Sequence, residues 1–123
     1  MKRILSLLVI AGIPALSVAQ SFQVNLQSNL QSGIAYLTYH MGGSLNVEDS
    51  AAVSKTGQVV FKGNKTLPPG IYAIVFPGKR LSADFLIGKE KVQNITIKAD
   101  TNHLLNMQVS GSPEDVLFRQ YQQ

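Results

Sequence analysis

Few residues of this 123-residue chain could do chemistry, and their spacing decides how far each can be taken. His40 and His103 are its two imidazoles. A metal site would need them near each other and near a carboxylate such as Glu48, Asp49 or Asp100, because such a cation gathers several ligands into one shell. Each histidine instead stands beside an expected turn, without ligand spacing. Both are therefore read as surface residues, and no metal or cofactor is expected. Asp49-Ser50 is half of a nucleophile arrangement, but no histidine adjoins it and no nucleophile-elbow motif is present. Its plainer role is local, since an aspartate at the start of a strand bonds nearby backbone. Catalysis needs acid, base and nucleophile converging on one point. Nothing in the sequence pairs them, so no enzyme is expected within these residues.

Binding chemistry has slightly more to work with. Lys79-Arg80 is the only adjacent basic pair after the first three residues. It could meet an acidic partner or a lipid headgroup, although such a pair usually keeps a loop solvated. Tyr36, Tyr39, Tyr72, Phe76 and Phe85 could line an aromatic surface for a glycan or peptide. Aromatics in a small all-β domain more often fill its core. Residues 36, 72 and 76 share one parity and 39 and 85 the other, so sequence alone assigns no faces. Asn64-Lys65-Thr66 and Asn94-Ile95-Thr96 fit the eukaryotic N-glycosylation pattern, but Asn94 falls inside an expected strand and both are read as chance.

The elements that must position these residues begin after an address. Lys2 and Arg3 precede an apolar run from Ile4 to Ala11, and Leu16-Ser17-Val18-Ala19 follows Pro14. A basic start, an apolar centre and a small-residue cut form a secretory signal peptide, placed over 1–19 with cleavage before Gln20. The apolar centre is too short to span a bilayer, and no later segment is a span. Export to the periplasm or elsewhere in the cell envelope is the expected localisation. Removing 19 of 123 residues leaves 104, enough for one compact domain. The formal charge of +4 falls to +2 once Lys2 and Arg3 are gone, and the remaining basic residues are scattered. A nucleic-acid groove would need them clustered. The chain has no cysteine, so its core must hold without disulfides, and it contains neither a redox thiol nor a lipoprotein signal.

From Ser21 onward apolar residues recur at period two, the pattern of half-buried strands. Phe22, Val24 and Leu26 mark the first strand and Ala35, Leu37 and Tyr39 the second, with Ser32-Gly33 and Gly42-Gly43 as breaks. Val47 to Ser54 is expected as a third strand, joined through a tight hairpin at Lys55-Thr56-Gly57 to Val59-Val60-Phe61. Pro68-Pro69-Gly70 launches Ile71 to Phe76, apolar on both faces and therefore expected to be a central, well-covered strand. Runs at Ala83–Ile87, Val92–Lys98 and Leu104–Val109 complete eight candidates. The expected fold is all-β, an antiparallel β-sandwich of seven to eight strands over 20–111. Over 112–123 the pattern changes. Ser112 could cap a helix, Pro113 suits its first turn, Glu114 and Asp115 suit its positive end, and Leu117, Phe118 and Tyr121 fall at helical spacing. A short helix with such a stripe needs something to pack on, either the sandwich itself or a further domain, and 112–123 is read as the start of a linker to a downstream domain.

Several of these stretches together resemble a known family. They are Glu48-Asp49-Ser50-Ala51-Ala52-Val53, Gly57-Gln58-Val59-Val60-Phe61-Lys62-Gly63, Leu67-Pro68-Pro69-Gly70-Ile71-Tyr72 and Asn106-Met107-Gln108-Val109-Ser110-Gly111-Ser112, followed by Leu117-Phe118 and Tyr121. The pattern resembles the N-terminal β-domain of unknown function found on exported thioredoxin-like (TlpA-type) thiol:disulfide interchange proteins of Gram-negative bacteria. The likeness covers residues 20–123 in order. It implies a non-catalytic accessory domain that positions a redox domain or its partners, with Leu117, Phe118 and Tyr121 as interdomain contacts. No residue of a thioredoxin fold can be carried over, because none is present. Asp49-Ser50-Ala51 also resembles the three-residue O-glycosylation signal used on exported proteins by some of these bacteria, with Ser50 as acceptor. The alternative expectation is a stand-alone envelope module that binds a glycan or a partner strand along a free sheet edge.

Overall fold

The computed structural model describes residues 21–41, 44–113 and 115. The expected signal peptide, the Gly42-Gly43 break and Leu117, Phe118 and Tyr121 lie outside the described residues. Alternating burial marks several of the strands. In β1 (Ser21–Gln27) Phe22, Val24 and Leu26 face inward while Gln23 and Gln27 face water. The others follow as β2 (Ile34–Met41), β3 (Ser44–Ala52), β4 (Gln58–Gly63), β5 (Gly70–Val75), β6 (Ser82–Ile87), β7 (Val92–Lys98) and β8 (Gln108–Ser110). The result is an all-β fold of two four-stranded sheets, ordered β4-β1-β7-β8 and β3-β2-β5-β6. Among the described residues no helix is long and apolar enough to cross a membrane.

The first sheet is mixed, which corrects the expectation of a wholly antiparallel arrangement. β1 runs parallel to β7, from Ser21↔Val92 to Gln27↔Lys98, and antiparallel to β4. Parallel neighbours need a long crossover, and the chain from β2 to β6 supplies it. The second sheet is antiparallel throughout.

The turn at Lys55-Thr56-Gly57 is also corrected. It closes locally like a hairpin, with Ser54 N–H donating to the Gln58 carbonyl at 2.9 Å and Gly57 N–H to the Ser54 carbonyl at 3.0 Å. The two strands then part, β3 joining β2 and β4 joining β1, so the turn carries the chain from one sheet to the other. Ser28 holds it against the first sheet, donating N–H and Oγ–H to the Gly57 carbonyl at 2.8 and 3.0 Å. Gly57 has φ +86, and a Cβ there would lie 2.1 Å from the Ser28 carbonyl oxygen.

The run expected as a strand over Leu104–Val109 divides. Leu104–Asn106 forms a single 3-10 turn and only Gln108–Ser110 pairs with β7. Leu105 is 98% exposed, so nothing draws that stretch into the ladder. Of the expected C-terminal helix, only Pro113 and Asp115 are described as helical.

One hydrophobic cluster draws on both sheets: Val24, Leu26, Val59, Phe61, Ile95 and Ile97 from the first, and Ala35, Leu37, Tyr72, Ile74, Phe85 and Ile87 from the second. Each of the larger aliphatic and phenylalanine side chains among them contributes roughly 1.5–3 kcal/mol when fully buried. β5 lies in the middle of its sheet, as its apolar run suggests. Only one of its faces meets the core: Tyr72 and Ile74 are fully buried, whereas Ile71 on the reverse is 41% exposed.

Candidate functional site

The reverse face of the second sheet is where apolar side chains meet solvent. Along β2, Ala35 and Leu37 point to the core, so Tyr36 and Thr38 stand on the opposite face. The register sets Thr38 beside Val47 of β3 and Ala73 of β5, and Tyr36 beside Ser50 and Val75. A bulge disturbs β3 here: Leu37 pairs with Asp49 and Thr38 with Val47, leaving Glu48 without a cross-strand partner. Glu48 instead accepts from Lys65 Nζ at 2.7 Å. An antiparallel sheet with one face in water ordinarily carries polar residues there. This one carries Leu45, Val47 and Ile71, with Leu81 beside them, all more than two-fifths exposed.

Part of this face is a groove of about 380 Å³, lined by Tyr36, Thr38, Leu45, Val47, Val75 and the 79–82 segment. One end is cationic. The β5–β6 connection closes with Lys79 N–H donating to the Phe76 carbonyl at 3.0 Å and Phe76 N–H to the Leu81 carbonyl at 2.9 Å. Pro77 and Gly78, with φ +91 at Gly78, suit a tight reversal. Lys79 follows at φ +59, the only non-glycine residue with positive φ among those described. That conformation costs a side-chain-bearing residue about 1–2 kcal/mol. It sets the Lys79 ammonium over the Tyr36 ring, 5.2 Å from the centroid, an arrangement of cation and ring that recovers about 0.5–1 kcal/mol at an exposed site.

The other candidates disperse. Tyr72, Phe76 and Phe85 are buried, and Tyr39 stacks on Tyr72 with centroids 4.7 Å apart. Tyr36 is therefore the one member of the five that reaches the reverse face; the others fill or adjoin the core, and the exposed face is aliphatic with a single ring. Tyr72 donates its hydroxyl to the Pro68 carbonyl at 2.6 Å. Burial, reinforced by Glu48 and Tyr39, pushes its pKa well above the usual tyrosine range.

His40 Nε2 lies 3.6 Å from Asp84 Oδ1, with both side chains nearly half exposed. His103 is exposed at the start of the 3-10 turn. Among the described residues no group of three metal-ligating side chains comes together. Asp49 Oδ1 accepts the Ser50 N–H at 2.9 Å, a local backbone bond at the bulge, and Ser50 is exposed. Asn94 lies exposed within β7, its Oδ1 accepting weakly from Asn25 at 3.4 Å.

Two polar clamps escaped the sequence reading. The buried Gln93 amide pairs with both backbone groups of Leu67, accepting its N–H at 2.8 Å and donating to its carbonyl at 2.9 Å. A glutamine at an inward position of β7, in phase with Ile95 and Ile97, was the available signal. The second clamp gives Ser112 and Asp115 partners that the helix-start pattern did not foretell. Ser112 Oγ–H donates to the Leu86 carbonyl at 2.6 Å, and Asp115 Oδ1 accepts the Leu86 N–H at 2.8 Å. Both residues are buried. They satisfy the outward backbone of β6, an edge strand, where another strand would otherwise pair.

The described residues thus form a two-sheet all-β domain with apolar side chains on the reverse face of one sheet and a clamped edge strand. The chain belongs to the family described as a domain of unknown function (DUF4369), which it matches over residues 21–118. No curated protein and no solved structure matches it.

Proposed function

We propose that this chain is a non-catalytic accessory domain of an exported thioredoxin-like thiol:disulfide protein, a β-sandwich that positions the redox domain or its partners in the cell envelope. The observation that carries this reading is the double clamp of Ser112 and Asp115 on Leu86. It fixes the chain to an edge strand just before Leu117, Phe118 and Tyr121, so whatever follows starts from a defined point. The resemblance of residues 20–123 to the thioredoxin-associated β-domain supports the same reading. In it, residues 1–19 direct export, Leu117, Phe118 and Tyr121 form the interdomain contact, and Ser50 is an O-glycan acceptor. The exposure of Ser50 on an edge strand is compatible with modification.

The test is the coding frame beyond Gln123. Continuation through a helical segment into a domain with a Cys-x-x-Cys pair supports the proposal. The full-length Phe118→Ala variant should then show faster protease cleavage of the linker. A stop codon directly after Gln123 would remove the redox role. The second reading, a stand-alone envelope binding module, would then take its place, favoured by the apolar groove on the second sheet.

A further inference from the structure

We propose that the groove on the reverse face of the second sheet binds a single-chain anionic amphiphile, its apolar chain lying across the strands and its carboxylate meeting Lys79 and Arg80. The inference stands on this face alone and holds whether or not a redox domain follows.

Shape gives the first argument. The groove crosses all four strands of the sheet, from Leu45 and Val47 on β3, over Tyr36 and Thr38 on β2 and Val75 on β5, to Ser82 on β6. Three interstrand steps of about 4.8 Å make a trough roughly 14 Å long. Its volume of about 380 Å³ falls within the range of about 300–1,000 Å³ typical of small-molecule sites.

The lining chemistry points to a chain rather than a peptide. Thr38 is buried and its hydroxyl donates to the Ala73 carbonyl at 3.0 Å, so the floor presents no free donor there. A peptide laid across it would find little for its backbone amides, whereas a hydrocarbon chain asks for nothing. A peptide strand paired along the β3 edge would run parallel to the strands, away from the cations.

Charge complementarity supplies the head. Lys79 and Arg80 border one end; among the described residues no carboxylate lines the groove and neither cation makes an ion pair. Lys79 is held there at a backbone angle that lysine does not prefer, with its ammonium over Tyr36. Strain of that kind collects where a side chain must be aimed.

The experiment is titration of the purified full chain with sodium dodecanoate below its micelle concentration, followed by residue-resolved NMR. Dodecan-1-ol, dodecyltrimethylammonium and a short acidic, apolar peptide are run in parallel. Saturable shifts at Tyr36, Val47 and Val75 are expected, with dodecanoate bound at least about tenfold more tightly than the alcohol, one charge-assisted contact's worth. Arg80→Gln and Lys79→Gln should weaken dodecanoate several-fold and leave the alcohol unchanged. Val47→Asp should abolish binding with the thermal midpoint preserved, because Val47 is 64% exposed. Equal affinity for the alcohol or the ammonium, shifts scattered away from the groove, or tighter binding of the peptide would each overturn the proposal.

Discussion

Gln93 acts toward Leu67 as a neighbouring strand would, its side-chain amide taking the Leu67 N–H at 2.8 Å and giving a hydrogen to the Leu67 carbonyl at 2.9 Å. The same Nε2 also reaches the Gly88 carbonyl at 3.3 Å. Leu67 is fully buried, so the connection from β4 to β5 crosses the end of the core without forming a strand, and Gln93 completes its backbone pairing. Leaving a buried backbone group unpaired costs about 1–3 kcal/mol. Gln93→Leu should therefore lower stability by roughly 2–4 kcal/mol in urea titration. Gln93→Glu adds a pH signature. A buried carboxyl at this position is neutral at low pH and can still donate to the Leu67 carbonyl, and burial raises its folded pKa above the unfolded value. Its deficit relative to the parent should be smallest below about pH 4 and should grow as pH rises through the folded pKa. A pH-independent deficit would contradict the clamp.

The Leu86 clamp makes a separable prediction. Asp115→Ala removes the acceptor of the Leu86 N–H and Ser112→Ala the donor to its carbonyl. Hydrogen exchange at the Leu86 amide should accelerate strongly in Asp115→Ala and far less in Asp115→Asn, which keeps an acceptor oxygen. The loss in Asp115→Ala should be about 1.5–3 kcal/mol, the range for a hydrogen bond to a charged group. Unchanged Leu86 exchange in Asp115→Ala would show that β6 is protected by something else.

Two glycines with similar backbone angles should respond differently to alanine. At Gly57 (φ +86) a Cβ would meet the Ser28 carbonyl oxygen at 2.1 Å, a collision with backbone that only movement of the turn relieves. At Gly78 (φ +91) a Cβ would meet nothing within 4 Å. Gly78→Ala should cost about 1–2 kcal/mol for the left-handed conformation alone. Gly57→Ala should cost more than about 3 kcal/mol and shift the thermal midpoint accordingly. Equal effects would mean that the sheet-crossing turn is not docked on Ser28.

Tyr72 predicts the alkaline limit of stability. Its folded pKa is raised, chiefly by burial and then by Glu48 and Tyr39, while the unfolded chain titrates near its ordinary value of about 10. Below that value both states hold the proton and stability is unaffected. Above it the unfolded state loses the proton first, so stability falls as pH rises toward the folded pKa. Tyr72→Phe should be less stable than the parent at neutral pH, having lost the bond to the Pro68 carbonyl. It should also have a shallower decline above about pH 10. Parallel curves for the two proteins would show that Tyr72 does not govern this limit.

Much of the strand pattern was legible because alternation leaves little choice. Phe22, Val24 and Leu26, or Ile95 and Ile97, can be buried together only on one face of a strand. Pairing was not legible in the same way. Lys55-Thr56-Gly57 has hairpin residues and hairpin hydrogen bonds, yet its strands diverge, because membership of a sheet is decided by distant partners such as β1 and β2. Tyr36 and Tyr72 share parity but belong to different strands with opposite faces inward, so counting along the chain could not separate surface from core. Asp115 and Ser112 have the composition of a helix start, and that local grammar concealed their bonds to Leu86. Leu45 and Val47 could have been noticed from their alternation with Ser44 and Asn46, but only the register with Tyr36 and Thr38 turns them into a groove.

The parallel pairing of β1 with β7 bears on the order in which the molecule can assemble. β1 occupies the interior of its sheet, flanked by strands that arrive much later in the chain. As the polypeptide is made, Ser21–Gln27 must wait first for Gln58–Gly63 and then for Val92–Lys98. The antiparallel pairs β2–β3 and β5–β6 need only short closures. Closing the long loop costs entropy before it returns any contact, and folds dominated by such distant pairings fold slowly. The first strand is thus the one that waits longest, once made, to be enclosed on both sides. During that interval Phe22, Val24 and Leu26 form an unprotected apolar strand, and the growing chain is most vulnerable to mispairing where its sequence begins to look most orderly.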